Sequence, residues 1–124
     1  ESGAESVTCW GTGSPMREFL HVDDLGDASV YALENWQPTP NKLQFLNVST
    51  GVDLSIKELA ELIAKIVGFN GKILWDHSKP DGTPKKQLDV SNMSHIGWRS
   101  SIDLTTGITR SVNDFRQNRS LLRL

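Results

Sequence analysis

Trp10-Gly11-Thr12-Gly13-Ser14-Pro15-Met16-Arg17-Glu18-Phe19-Leu20-His21-Val22-Asp23-Asp24 is the stretch whose reading decides the fold. Two glycines close together invite a phosphate-loop reading. Met16 stands where a dinucleotide fingerprint needs its third glycine, and a strand pattern follows where a helix must begin. The pyrophosphate of that fingerprint sits on a helix N-terminus, so the motif fails. No Gly-Lys-Ser/Thr follows either, which removes the Walker loop. A turn between two strands remains: Val7 to Trp10, then Arg17 to Val22. Asp23 or Asp24 can cap a helix, since a carboxylate accepts from free backbone N–H groups. Leu25, Ala28, Tyr31 and Ala32 give that helix its apolar face.

Upstream, residues 1–6 are small and polar and read as a connector. Residues 7–124 read as one compact domain. Leu43 to Val48 is apolar and β-branched and predicts a strand. Ser55 and Glu58 predict a capping box for a helix carrying Ile56, Leu59, Ala60, Ile63, Ile66 and Val67, with Gly68 ending it. Lys72 to Trp75 predicts a strand, and Asp76 to Lys86 a polar loop with two prolines and a glycine. Ser91 can cap a short helix through Met93 and Ile96, with Gly97 ending it. Asp103 starts a last one with Leu104, Ile108, Val112 and Phe115 on one face. Strands alternating with about four helices make the class α/β, a small mixed domain.

Bulk properties exclude several functions. With 124 residues and a net charge of −2, the chain lacks the basic stripe of a nucleic-acid binder. No apolar run approaches a membrane span, and no basic-then-apolar leader opens it. One cysteine cannot close an intrachain disulfide, so a reducing cytoplasm is the default. His21 and Asp23 share a strand face, but two ligands do not make a closed metal site. No nucleophile, base and orienting partner can be assembled, so no catalytic residue is assigned. Trp36, Trp75 and Trp98 read as packing aromatics. Trp10 differs because glycines follow it.

Two stretches carry candidate chemistry. In the first, Trp10 offers a flat surface for a base or sugar. Arg17 offers a permanently charged fork for phosphate, though spacing alone favours a surface or salt-bridged arginine, paired with Glu18. In the second, Asp76-His-Ser-Lys79-Pro-Asp81-Gly-Thr-Pro84-Lys85-Lys86, a carboxylate in a turn can accept from sugar hydroxyls and the lysines can neutralise phosphate. A solvated proline-rich loop is the plain alternative.

Together these stretches resemble the C-terminal part of the GDP-L-fucose synthase family, the GDP-4-keto-6-deoxy-D-mannose 3,5-epimerase-4-reductases among the extended short-chain dehydrogenase/reductases. The resemblance rests on Trp10 to Asp24, on Asn47-Val-Ser-Thr-Gly51 before the Ser55-Ile-Lys-Glu-Leu-Ala60 helix, and on Ser78-Lys-Pro-Asp-Gly-Thr-Pro84 followed by Leu88-Asp89. The last is the most discriminating, and the likeness runs from about Val7 to Gln117.

The resemblance implies a substrate-binding domain without the Rossmann half. It implies that Trp10, Arg17 and Asp81 contact a GDP-sugar, with Arg17 at the nucleotide or its diphosphate and Asp81 accepting from hydroxyls. Lys72 stands where relatives tend to carry a basic residue. The resemblance further implies a homodimeric parent that inverts C3 and C5 of a 4-keto sugar and then reduces it with NADPH. The family's Gly-rich βα turn, its Tyr-x-x-x-Lys pair and its catalytic cysteine and histidine have no counterparts here. Tyr31 is followed at the fourth position by Asn35, and Cys9 is not at the catalytic cysteine's place. The chain is therefore expected to hold no NADP(H) and to be inactive alone. The alternatives are a non-catalytic nucleotide-sugar-binding module, or a domain of a UDP- or dTDP-sugar epimerase or dehydratase.

Overall fold

The computed structural model describes residues 3–41 and 44–119. Nine elements follow in order: β1 Ser6–Trp10, β2 Met16–Glu18, α1 Val22–Asn35, β3 Asp53–Ser55, α2 Ile56–Val67, β4 Lys72–Asp76, β5 Lys85–Lys86, α3 Ser91–His95 and α4 Leu104–Gln117. The mixed α/β class and the four helices agree with the sequence reading. β1 and β4 form a parallel pair, from Ser6↔Lys72 to Trp10↔Asp76. A second sheet has the order β3-β2-β5, with β2 antiparallel to β3 and parallel to β5.

The best-formed helix is α2. Ser55 Oγ accepts from Glu58 N–H, while Glu58 Oε2 accepts from Ser55 N–H, so the predicted capping box is present. Gly68 closes it in the left-handed conformation at φ 74°. Of its expected apolar face, Ile56, Leu59, Ala60 and Ile66 are half-buried, while Ile63 and Val67 are exposed. The free N–H groups of Ile56 and Lys57 donate to Pro15 O (3.0 Å) and Gly13 O (2.9 Å). The start of α2 is thereby locked onto the Gly13–Pro15 turn.

Besides Ser91, which does not cap α3 because Val90 holds that position without a side-chain bond, three expectations need correction. The N-cap of α1 is neither aspartate: His21 caps it, its Nδ1 accepting from Asp23 N–H at 3.2 Å. Asp24 is instead buried and turned away from the helix end. It accepts from Ser101 N–H, Ser101 Oγ–H and Ile102 N–H, fastening α1 to the segment before α4. Second, residues 44–48 form no strand, and Leu43 lies outside the described residues. A strand needs a neighbouring ladder; the tether here is a side chain, Asn47 Nδ2 donating to Asp89 O. Third, the second strand is shorter than Arg17–Val22, because α1 already begins at Val22.

Among the described residues Ala28, Met93 and Trp98 form the buried core cluster, packed by Leu20, Tyr31, Leu46, Val48 and Ile96. Trp98 Nε1 donates to Asp27 Oδ2 at 2.8 Å, satisfying the polar edge of the buried ring. One side of α1 stays open: Val22, Leu25, Val30 and Leu33 are exposed, Leu33 at 85%. No helix among the described residues is long and apolar enough to cross a membrane.

Candidate functional site

The Trp10–Pro15 turn is built by exclusion. Gly11 and Gly13 adopt φ 80° and 77°, which an L side chain rarely adopts. The space above each is also taken. A Cβ at Gly11 would overlap Asp81 Oδ1, and one at Gly13 would stand 2.6 Å from the Trp75 ring. A carboxylate and an indole thus fill the space above the two glycines. Met16 stands at the third-glycine position and strand β2 follows it, where a dinucleotide fingerprint has a helix start.

The same loop meets the first stretch at three places. β4 ends at Asp76, whose Oδ1 accepts from Ser78 N–H (3.0 Å) and Ser78 Oγ–H (2.6 Å), turning the chain back. Lys79 Nζ then stands 5.7 Å from the centroid of the Trp10 ring. Asp81 accepts from Thr12 N–H (2.8 Å) and Thr12 Oγ–H (2.6 Å). Gly82 lies against Arg17, close enough that a Cβ would sit 3.1 Å from Nη2. Residues 79–82 therefore gather Trp10, Thr12 and Arg17 along one edge. Trp10 is 74% exposed, an indole presented to solvent rather than packed.

Strand register sorts the charges of the second sheet. Arg17 pairs with Leu54 on one side and Lys86 on the other, so these three share a face. That face carries two cations side by side and no carboxylate. On the opposite face Lys85 Nζ lies 3.0 Å from Asp53 Oδ2, and Glu18 Oε2 accepts from Leu88 N–H. Arg17 is thus not neutralised by its neighbour Glu18. Its Nη1 donates to Met16 O at 2.6 Å, and neighbouring like charges leave the face suited to an anion.

Of the residues singled out from sequence, Trp10, Arg17 and Asp81 come together. Lys72 does not. It pairs with Ser6 at the far end of β4, four residues and about 13 Å along the strand from the Trp10↔Asp76 pair. There it lines a separate cleft with Val7, Phe69 and Phe115. Sequence reading passed over Lys79 and Lys86 as individuals. The strand β5 that places Lys86 is two residues long and leaves no periodic trace. Thr12 and Ser14 were also passed over, although the Thr12 hydroxyl between two glycines is a readable hint. Among the described residues no cluster of His, Cys, Asp or Glu could hold a metal ion.

Residues 1–46 match the model of the NAD dependent epimerase/dehydratase family. GDP-L-fucose synthase 1 of Arabidopsis thaliana is 45% identical over 117 residues, 94% of this chain and 35% of the relative. The chain thus spans about a third of the length of the curated relatives it matches. Among solved structures, a GDP-6-OMe-4-keto-L-xylo-heptose reductase from C. jejuni superposes with TM-score 0.85 at 36% identity, over 92% of this chain and 34% of that one. A GDP-mannoheptose C4 reductase from Campylobacter jejuni, solved with NADP bound, gives TM-score 0.79 at 35% identity, over 90% and 35%. Fold, motif and sequence together make the chain a homologue of the GDP-L-fucose synthases among the extended short-chain dehydrogenase/reductases.

Proposed function

We propose that the chain is the nucleotide-sugar-binding part of an NADPH-dependent GDP-sugar enzyme that epimerises C3 and C5 of GDP-4-keto-6-deoxy-D-mannose and reduces C4. The observation that carries this reading is the convergence of Trp10, Lys79 and Arg17 along residues 79–82. The exposed indole stacks on a flat or ring-shaped group. Arg17 and Lys86 hold the diphosphate, the guanidinium as a fork and the ammonium as a point charge. Lys79 stands over one face of the indole, leaving the other for the ligand. The residues' work is binding and orientation, which lowers the entropic part of a barrier without taking part in bond making.

No described residue is assigned to catalysis. The Gly11–Gly13 turn lacks the third glycine and the helix start of a dinucleotide fingerprint, which supports a reading in which NADP(H) is held by chain outside residues 3–119. The open apolar side of α1 is the surface on which that chain packs. The whole protein is taken as a cytoplasmic homodimer, by its likeness to the family, and residues 1–124 alone as inactive. NADPH oxidation by the pure 124-residue chain with the keto-sugar would overturn that assignment.

Titrating the full-length protein with GDP, UDP and dTDP tests the nucleotide. GDP is expected to bind tightest, and a preference for UDP would move the protein to the UDP-sugar epimerases. A second reading, a GDP-sugar 4-reductase without epimerisation, is favoured by the two superposed reductases. Incubation with the keto-sugar in deuterium oxide separates the two. An epimerase washes deuterium into C3 and C5 through enolate intermediates, whereas a reductase leaves both positions protonated.

A further inference from the structure

We infer that Glu18 is a positioning residue: from the back of the second sheet its carboxylate holds β5 in the register that sets Lys86 beside Arg17. The inference rests on the GDP-sugar reading for its consequence, but its geometry needs no ligand. Strand alternation turns Glu18 to the face opposite Arg17, alongside Asp53 and Lys85. Its Oε2 accepts from Leu88 N–H at 2.7 Å, across 70 residues of sequence. Its Oε1 is shut off from solvent, and no group among the described residues donates to it. Glu18 thus stands behind the anion face and acts on it through β5.

β5 needs such a lock because its own ladder is short and its sequence is ambiguous. It is two residues long and pairs with β2 at Met16↔Lys85 and Arg17↔Lys86. Both residues are lysines, so side-chain type does not choose between neighbouring registers. A slip of one residue in one direction puts Lys85 beside Arg17 and drags the 79–82 loop about 3.3 Å along the sheet, away from Trp10. A slip in the other direction puts Gln87 beside Arg17, and the front face loses its second cation. The bond from Met16 N–H to Pro84 O (2.8 Å) holds one end of the pairing, and the Glu18 bond to Leu88 holds the other.

Other contacts near β5 do less. Gln87 Nε2 donates to Gly51 O at 2.9 Å and Asn47 Nδ2 to Asp89 O at 3.0 Å. Both come from the 47–51 segment, so neither ties Lys86 directly to the strand that carries Arg17. Lys85 reaches Asp53, but its side chain is 55% exposed, and an ion pair so open to water adds little. Glu18 also stands opposite Asp53 in register, a like-charge pair that costs the sheet stability. A residue serving stability alone gains nothing from that charge. A residue holding a backbone N–H in register does, because a carboxylate accepts more strongly than a neutral oxygen.

Variants of the full-length protein test this: Glu18→Ala, Glu18→Asp, Glu18→Gln, and Glu18→Ala combined with Lys86→Ala. Amide hydrogen exchange read by mass spectrometry reports the lock without any ligand. Glu18→Ala removes the acceptor, and Glu18→Asp withdraws it by one methylene while keeping the charge. Both are expected to speed exchange across 85–89 by roughly ten-fold, the scale of one lost charge-assisted hydrogen bond, while helix α2 keeps its protection. Glu18→Gln, which keeps an acceptor at full reach, is expected to restore most of the protection. GDP titration gives the consequence: affinity falls by roughly five-fold in Glu18→Ala and recovers in Glu18→Gln. In the Lys86→Ala background the same Glu18→Ala change is expected to cost less than about two-fold, because the cation it positions is already gone. Unchanged exchange across 85–89 in Glu18→Ala, or in Glu18→Asp should the alanine variant not fold, overturns the lock. An undiminished loss in the Lys86→Ala background, or faster exchange with unaltered GDP affinity, overturns the positioning role. If the parent binds no GDP while exchange responds as expected, the lock stands and the GDP-sugar reading falls.

Discussion

Lys79 Nζ stands 5.7 Å from the centroid of the Trp10 ring, although strand β4 and helices α1 and α2 intervene between them in sequence. An ammonium over an indole face is attracted by the ring quadrupole, by about 0.5–1 kcal/mol at an exposed site. That is too little to fold a loop, but enough to bias where the lysine waits. Trp10→Ala and Lys79→Ala in the full-length protein are each expected to weaken GDP-sugar binding by roughly five-fold. Trp10→Phe should retain part of the affinity, since a smaller π face remains. The double variant should lose less than the sum of the two, because each single change already removes the shared contact. Strict additivity in a calorimetric cycle would show that the two side chains act separately.

The two cations sharing a face of β2 and β5 make a different prediction. Arg17→Lys keeps the charge but loses the fork, so the KM for the GDP-sugar should rise by about ten-fold with kcat little changed. Lys86→Ala should raise KM less and flatten its dependence on salt, as expected for a point charge acting at longer range. A KM unaltered by Arg17→Ala would remove Arg17 from the site.

Asp24 allows a stability test independent of any ligand. Its burial alone would raise its pKa, but hydrogen bonds from the Ile102 N–H and from the Ser101 hydroxyl and N–H, with His21 adding charge, hold it below the usual carboxylate value. A group lowered in the folded state contributes fully above its unfolded pKa. The contribution fades as pH falls through the lowered folded value. Asp24→Ala should cost about 3 kcal/mol at neutral pH, since it strands three donors at a buried site. The difference between parent and variant should shrink in acid. A gap in urea midpoint that stays constant from neutral pH down to about pH 2 would show that this carboxylate is not what the donors require.

How much of this could be read beforehand depends on whether the cause was local. The Ser55–Glu58 box, the Gly68 stop and the Asp103 cap each involve residues three or four apart, and all three are present. His21 as the cap of α1 was hidden because two aspartates follow it, and Asp24 is claimed by Ser101, a partner 77 residues away. Leu43 to Val48 has strand composition, yet 44–48 lack a ladder among the described residues, and composition cannot report a missing neighbour. Within the site, the types of Trp10 and Arg17 were legible. The alignment of Lys79 on Trp10 and of Lys86 beside Arg17 depends on register between strands, which no short window contains.

Gly13 and Gly26 are the last pair to separate. Gly13 sits at φ 77° with the Trp75 ring where its Cβ would go, so Gly13→Ala should destabilise by about 2 kcal/mol or more and perturb Trp75 emission. Gly26 lies inside α1 with nothing within 4 Å of its Cβ position. In an open helix Gly→Ala limits the unfolded chain and favours the helix, so Gly26→Ala should stabilise residues 1–124 by about 0.5–1 kcal/mol. Val22, Leu25 and Leu33 surround Gly26 on the same exposed side of α1. If the rest of a full-length chain packs there, the added methyl meets that surface and the gain disappears or reverses in the longer protein. Thermal midpoints of both lengths, with and without Gly26→Ala, decide the matter. An equal gain in both would show that this side of α1 stays open to water.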